Sequence, residues 1–171
     1  MKRTKTLSRY VVTAALIAAA YAALTYISAA LGIAYGNIQF RLSEALNVFA
    51  IFTPAAIPGL TLGCVLGNIT SPYGIVDILV GTFATFLSSV CIWLLARVGG
   101  KAAPYLAVLP PTLFNAVLVG LEITWFLPEG VTVLGFAVTA AEVAIGEIAV
   151  CGILGVPLYY AVQNRLKGLS E

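Results

Sequence analysis

Long apolar runs alternate with short polar or Gly/Pro-bearing breaks along this chain, and the run lengths predict helices that cross a bilayer. The first run extends from about Tyr10 to Leu31 and closes in "GIAYGN". The second is "NIQFRLSEALNVFAIF", Asn37 to Phe52, ended by the "TPAAIPG" loop around Pro54 and Pro58. A third, from Gly59 to about Ile69, is short. It carries Gly59, Gly63 and Gly67 at four-residue spacing, a flat strip that lets another helix approach closely. "TSPYG" then turns the chain into a fourth run from about Asp77 to Leu95, and "ARVGGKAAP" forms a basic loop. The fifth run spans about Tyr105 to Phe126, "LPEG" makes the next turn, and the sixth spans about Val131 to Tyr160 before the polar tail "QNRLKGLSE". The expected fold is an all-α membrane protein, a bundle of six transmembrane helices in one integral membrane domain over residues 1–171. No internal repeat or low-complexity linker interrupts it.

Composition supports lipid as the solvent. Hydrophobic residues make up 61% of the 171 and charged residues 9%, too apolar for a single water-soluble core. The start "MKRTKTLSRYVVTAALIAAAYAAL" has the basic and apolar regions of a signal peptide, but the apolar run continues to Leu31 and is read as a retained first span. A net charge of +2 gives no reason to expect a nucleic-acid partner. Three cysteines, Cys64, Cys91 and Cys151, sit in three different apolar runs and are expected to stay free. With no histidine and no CxxC pair, neither a metal site nor a cofactor is expected.

The basic residues set an orientation, because cytoplasmic flanks collect lysine and arginine. Lys2, Arg3, Lys5 and Arg9 precede the first run, Arg97 and Lys101 lie between the fourth and fifth, and Arg165 and Lys167 follow the sixth. Six spans put all of these on one side, so both termini are expected to be cytoplasmic. The loops around Gly36, Pro72 and Pro128 then face outward.

Polar residues inside the runs carry the candidate chemistry. Arg41, Glu44 and Asn47 recur every third residue and form one slowly drifting stripe on an α-helix. A charge at the bilayer centre costs about 2.5–3.5 kcal/mol on insertion scales, so Arg41 and Glu44 are expected to pair, either as a packing salt bridge or as part of a solute pathway. The fifth run holds Thr112, Asn115 and Glu122, the last two sharing a face. The sixth holds Thr139, Glu142 and Glu147. Asp77 opens the fourth run and Asn68 ends the third on the same side. Most of these groups fall in the outer half of the bilayer, which suggests an outward-opening pocket and argues against a channel lined through both halves. Glu142 and Glu147 are roughly 140° apart on an ideal helix, so Glu142 is assigned to the pocket and Glu147, deeper, is given a structural role. Acid exceeds base in this set, so the ligand should be cationic or rich in hydrogen-bond donors.

The first run also carries small residues in two strips, Ala14, Ala18 and Ala22, and beside it Ala15, Ala19 and Ala23. Such strips serve internal packing or the docking of another membrane protein. The chain has no G-x-x-x-x-G-K-[ST] phosphate loop to make it an ATPase and no histidine for a Ser–His hydrolase. Two classes remain, a solute-binding transport protein and a membrane enzyme or assembly factor that uses carboxylates. The first is preferred.

"IQFRLSEALNVF", "FTPAAIPGLTLGCVLGNI" and "GIVDILVGTFATFL" resemble the QueT family of substrate-capture subunits, the S components of energy-coupling-factor (ECF) vitamin transporters. The likeness runs through most of the chain and is strongest from Ile38 to Leu87. The resemblance implies a multi-pass protein of the bacterial cell membrane that binds a queuosine precursor such as 7-aminomethyl-7-deazaguanine. It also implies partners, one membrane scaffold subunit and two ATPase subunits, with Ala14, Ala18 and Ala22 as the scaffold-docking strip. For such a ligand Glu122 and Glu142 are the candidate acids, one for the ring N–H donors and one for the aminomethyl cation. Asn115 is a candidate donor to the ring carbonyl, and Tyr35, Tyr73 or Trp125 could stack on the ring. Arg41 and Glu44 are assigned to the pocket wall or its gate, with Asp77 beside them. The alternative is a stand-alone proton-coupled carrier for a small polar or cationic solute, working through Glu142 or Glu147.

Overall fold

The apolar runs form helices in a computed structural model that describes residues 2–36 and 38–168. Asn37, where the second run was placed to begin, lies outside the described residues, as do the side chains of the basic residues Lys2, Arg3 and Lys5 used in the orientation argument. Among the described residues every regular element is helical. Helix α1 covers Lys2–Ala30, α2 Ala56–Gly67, α3 Ile75–Leu95, α4 Ala103–Leu106, α5 Leu109–Trp125, α6 Val133–Ala149 and α7 Val156–Gly168. A 3₁₀ helix, Leu42–Ile51, lies between α1 and α2, and a π-helical segment, Val150–Gly155, joins α6 to α7.

Among the described residues, four stretches are long and apolar enough to cross a membrane: Thr6–Ala30, Ile75–Leu95, Gly100–Trp125 and Val133–Lys167. The protein is therefore a multi-pass helical membrane protein. The second and third runs are shorter, Leu42–Ile51 and Ala56–Thr70. At about 2.0 Å per residue the 3₁₀ helix covers about 20 Å, less than the roughly 30 Å of a bilayer core.

The second run was expected to be α-helical, and its 3₁₀ winding has a physical reason. Three residues per turn set positions 44, 47 and 50 in a straight line, whereas an α-helix would carry the last about 120° round from the first. Seven of its ten residues are buried, Ser43, Glu44, Ala45, Leu46, Asn47, Val48 and Ala50, so a straight interior stripe keeps its polar members off the lipid. The π segment of the sixth run meets this helix directly. A Cβ on Gly155 would stand 3.3 Å from the carbonyl oxygen of Ala45, and Cys151 Sγ donates to the carbonyl of Glu44 at 3.5 Å.

Helices α1 and α2 meet through two small-residue strips. A Cβ on Gly59 would lie 2.8 Å from the Ala14 carbonyl oxygen, one on Gly63 2.6 Å from Tyr21 Cβ and 2.9 Å from the Ala18 oxygen, and one on Gly67 2.9 Å from Thr25. Ala14, Ala18 and Ala22 are accordingly buried inside the chain. This corrects their assignment as a scaffold-docking strip, because the glycines of α2 already occupy that face. The neighbouring Ala15, Ala19 and Ala23 are exposed. Around Ile17 and Tyr21 the core is completed by Leu46, Leu60, Cys64 and Ile92. All three cysteines are free.

Candidate functional site

A cleft of about 480 Å³ opens at the end of the bundle where the loops near residues 35, 73 and 127–132 meet. Its walls include Tyr35, Tyr73, Ile123, Glu129, Thr132, Thr139 and Glu142. Tyr73 is held by the turn that leads into α3. Its backbone N–H donates to Ser71 Oγ at 3.2 Å, and Gly74 follows with φ +63°, a left-handed conformation that a side chain would disfavour. Thr132 caps α6 by accepting from the Gly135 N–H at 3.0 Å. Thr139 is spent on α5, where its hydroxyl meets Thr124 Oγ1 at 2.7 Å and the Gly120 carbonyl at 2.8 Å. Glu129 is exposed and Glu142 half-buried, and neither forms an ion pair among the described residues.

The cleft thus offers two uncompensated carboxylates and two tyrosine rings. Burial is the main cause raising the phenols of Tyr35 and Tyr73 above their ordinary range, so both stay neutral and keep their O–H at physiological pH. Such a lining suits a flat ring that carries a positive charge.

Behind Tyr35 lies a buried polar layer. Arg41 Nη2 donates to Asp77 Oδ2 at 2.9 Å, with both side chains almost fully enclosed, and the guanidinium carbon stands 5.1 Å from the centroid of the Tyr35 ring. Asn68 Nδ2 donates to the Asp77 carbonyl at 2.9 Å and to Asp77 Oδ1 at 3.2 Å. The expected Arg41–Glu44 pair is not formed. Arg41 sits in extended backbone just before the 3₁₀ helix, which sends it to α3. Glu44 turns to α1, where it accepts from the Tyr21 hydroxyl, and it also accepts from Asn47 Nδ2 at 2.6 Å.

Two other candidates are placed away from the cleft. Asn115 Nδ2 donates to Glu147 Oε1 at 2.6 Å, and Glu147 Oε2 accepts from Cys151 Sγ at 3.6 Å, so Asn115 is committed between α5 and α6 and does not line the cleft. Glu122 is buried at 4% exposure and borders a separate apolar groove of about 430 Å³ with Val76, Val80, Leu118, Leu121 and Trp125. In this structure Glu122 and Glu142 border two separate hollows instead of the one pocket expected, and Trp125, offered as a stacking ring, borders the groove with Glu122. Residues 122 and 125 are on the α3-facing side of α5, while Ile123 borders the cleft. Glu129 and Thr132 were missed. Their signal was the "LPEG" turn, an acid in a loop one helix start away from Glu142.

The family model of the QueT transporter matches residues 11–164. The chain belongs to the QueT transporter family. That assignment agrees with the resemblance carried by "IQFRLSEALNVF" and its neighbours, and the family's model is that of a transporter. A protein of Lactococcus lactis subsp. cremoris (strain MG1363) named "Queuosine precursor transporter QueT" is 41% identical over 87 residues. The matched stretch covers 51% of this chain and 50% of that relative, so it spans about half the length of either. No solved structure matches this QueT-family chain.

Proposed function

We propose that this chain is the substrate-capture S component of an ECF-type importer in a bacterial cell membrane, and that its ligand is a queuosine precursor such as 7-aminomethyl-7-deazaguanine. In this reading the chain is one integral membrane domain that crosses the bilayer six times, the 3₁₀ helix and α2 acting as two short crossings, with both termini cytoplasmic. The cleft then faces outward. The observation that carries the reading is the lining of that cleft: Glu129 and Glu142 uncompensated, opposite Tyr35 and Tyr73. The aminomethyl group is a cation that Glu142 neutralises, with Glu129 at the rim attracting it, and the deazaguanine ring lies against the tyrosines. Arg41 and Asp77 support the floor through the Tyr35 ring without direct ligand contact. The relative's name, which refers to a queuosine precursor, supports the choice of ligand.

In this reading the chain, whose sequence holds no phosphate loop, takes its energy from ATPase partners joined through a membrane scaffold subunit. The exposed strip Ala15, Ala19 and Ala23 on α1 is the face assigned to that scaffold. Uptake into liposomes that contain the chain with and without scaffold and ATPases tests this, and ATP-dependent uptake only in the complete set is the expected result.

The second reading is a stand-alone proton-coupled carrier. It is favoured by one feature, the enclosure of Glu44 and Glu147 with neutral hydrogen-bond partners and no bonded base. Uptake by the chain alone, driven by a pH gradient, would select it.

A further inference from the structure

Among the described residues four acids are enclosed within the bundle, and three of them are fully engaged. Asp77 spends its oxygens on Arg41 and Asn68, Glu44 on Tyr21 and Asn47, and Glu147 on Asn115 and Cys151. Glu122 differs. Both of its carboxylate oxygens are buried without a hydrogen-bond partner. An enclosed carboxyl group left unsatisfied is costly, and a ligand that completes it is one reason for a fold to keep it.

Its surroundings say where that ligand would come from. Ile123, the next residue, lines the cleft, as does Tyr73. The Tyr73 phenol, which lines the cleft, is close enough to Asp77, Glu122 and Arg41 to feel their charges. Tyr73 also packs against Phe126 at the end of α5, with centroids 5.3 Å apart and the planes tilted by 44°. Tyr73 is half-buried, in a loop, and its hydroxyl forms no hydrogen bond among the described residues.

We propose that Glu122 reads the amino–imino edge of the guanine-like ring, reached from the cleft past Ile123 and Tyr73. The inference rests on the substrate reading above and adds the residue that distinguishes a guanine from a hypoxanthine. A carboxylate presents two parallel acceptors. The ring N1–H and the 2-amino group present two parallel donors at matching spacing. The groove beside the carboxyl is lined by the apolar Val76, Val80, Leu118 and Leu121, which offer no substitute hydrogen-bond partner, so losing one donor leaves an oxygen unpaired again. Glu142 holds the aminomethyl cation in the cleft while Glu122 holds the opposite edge of the ring.

The test compares 7-aminomethyl-7-deazaguanine with its analogue lacking the 2-amino group, binding each to the purified parent chain, to Glu122→Gln and to Glu142→Gln. The parent chain is expected to prefer the amino compound by about tenfold or more. Glutamine offers one acceptor and one donor, so Glu122→Gln should bring the ratio to within about threefold, while Glu142→Gln weakens both ligands and keeps the ratio. Glu122→Gln should also leave the thermal midpoint of the ligand-free protein unchanged or raised, because the carboxyl oxygens make no bond for the change to break; a hydrogen-bonded structural acid would lower it. Equal affinity of the parent chain for the two compounds, or an unchanged ratio in Glu122→Gln, overturns the inference and leaves the substrate reading standing. Failure of the parent chain to bind either compound overturns both.

Discussion

Arg41 and Asp77 are 36 positions apart in sequence and form a buried ion pair at 2.9 Å that ties the entrance of the 3₁₀ helix to the start of α3. Breaking such a pair strands the surviving charge. Arg41→Ala and Asp77→Ala should each cost about 3–5 kcal/mol of stability, and the double change should cost less than their sum. Arg41 and Glu44, which are not paired, should show a smaller coupling. Unfolding of the detergent-solubilised variants in a double-mutant cycle measures both, and the opposite ranking would return the pair to Glu44.

The same strip of α1 that looked like a docking face gives a stability prediction instead. Gly63→Ala places a Cβ 2.6 Å from Tyr21 Cβ and 2.9 Å from the Ala18 oxygen, both on a packed helix that cannot yield cheaply. A loss of about 1–3 kcal/mol is expected, the usual cost of overpacking. Ala18→Leu should destabilise in the same way, and thermal unfolding of both variants checks it.

Ala19→Leu separates the two faces of α1. Residue 19 is exposed, so the leucine meets no wall of the fold, and stability and ligand binding should match the parent. Uptake in cells should fall steeply if this face meets a scaffold helix, because a bulky side chain keeps backbones apart. Unchanged uptake would remove the docking role from α1.

How far the sequence foretold this structure depends on the range of the interactions. All six apolar runs became helices, because run length and Gly/Pro breaks are local signals. The glycine strip at 59, 63 and 67 was rightly read as a close-approach surface, yet its partner on α1 could not be named from one strip alone. The three-residue spacing of Arg41, Glu44 and Asn47 was visible, but spacing does not say whether a helix winds at 3.6 or 3.0 residues per turn when tertiary contacts bury seven residues of ten. Arg41 therefore appeared to face Glu44, its neighbour in sequence, when its partner comes from another helix. Glu142 and the tyrosines at 35 and 73 were picked out and do share one cleft. Glu122 was separated from them by a single residue's rotation on α5, which a face argument over seven residues does not resolve.

Within the cleft, Glu142→Gln should weaken binding of the aminomethyl compound by about 1.5–3 kcal/mol, the scale of a hydrogen bond to a charged group. Glu129→Gln, at the exposed rim, should act mainly on the association rate and lose its effect at high salt. Stopped-flow binding at two ionic strengths distinguishes the two roles.

The claim that an outward cleft on this chain captures a cationic deazaguanine is tested most directly by calorimetry on the purified, folded protein. Titration with 7-aminomethyl-7-deazaguanine in the absence of ATP and of any partner subunit should give saturable binding at one site per chain. Absence of heat and of saturation with this compound and with the other guanine-like precursors, in protein that unfolds cooperatively, would contradict it.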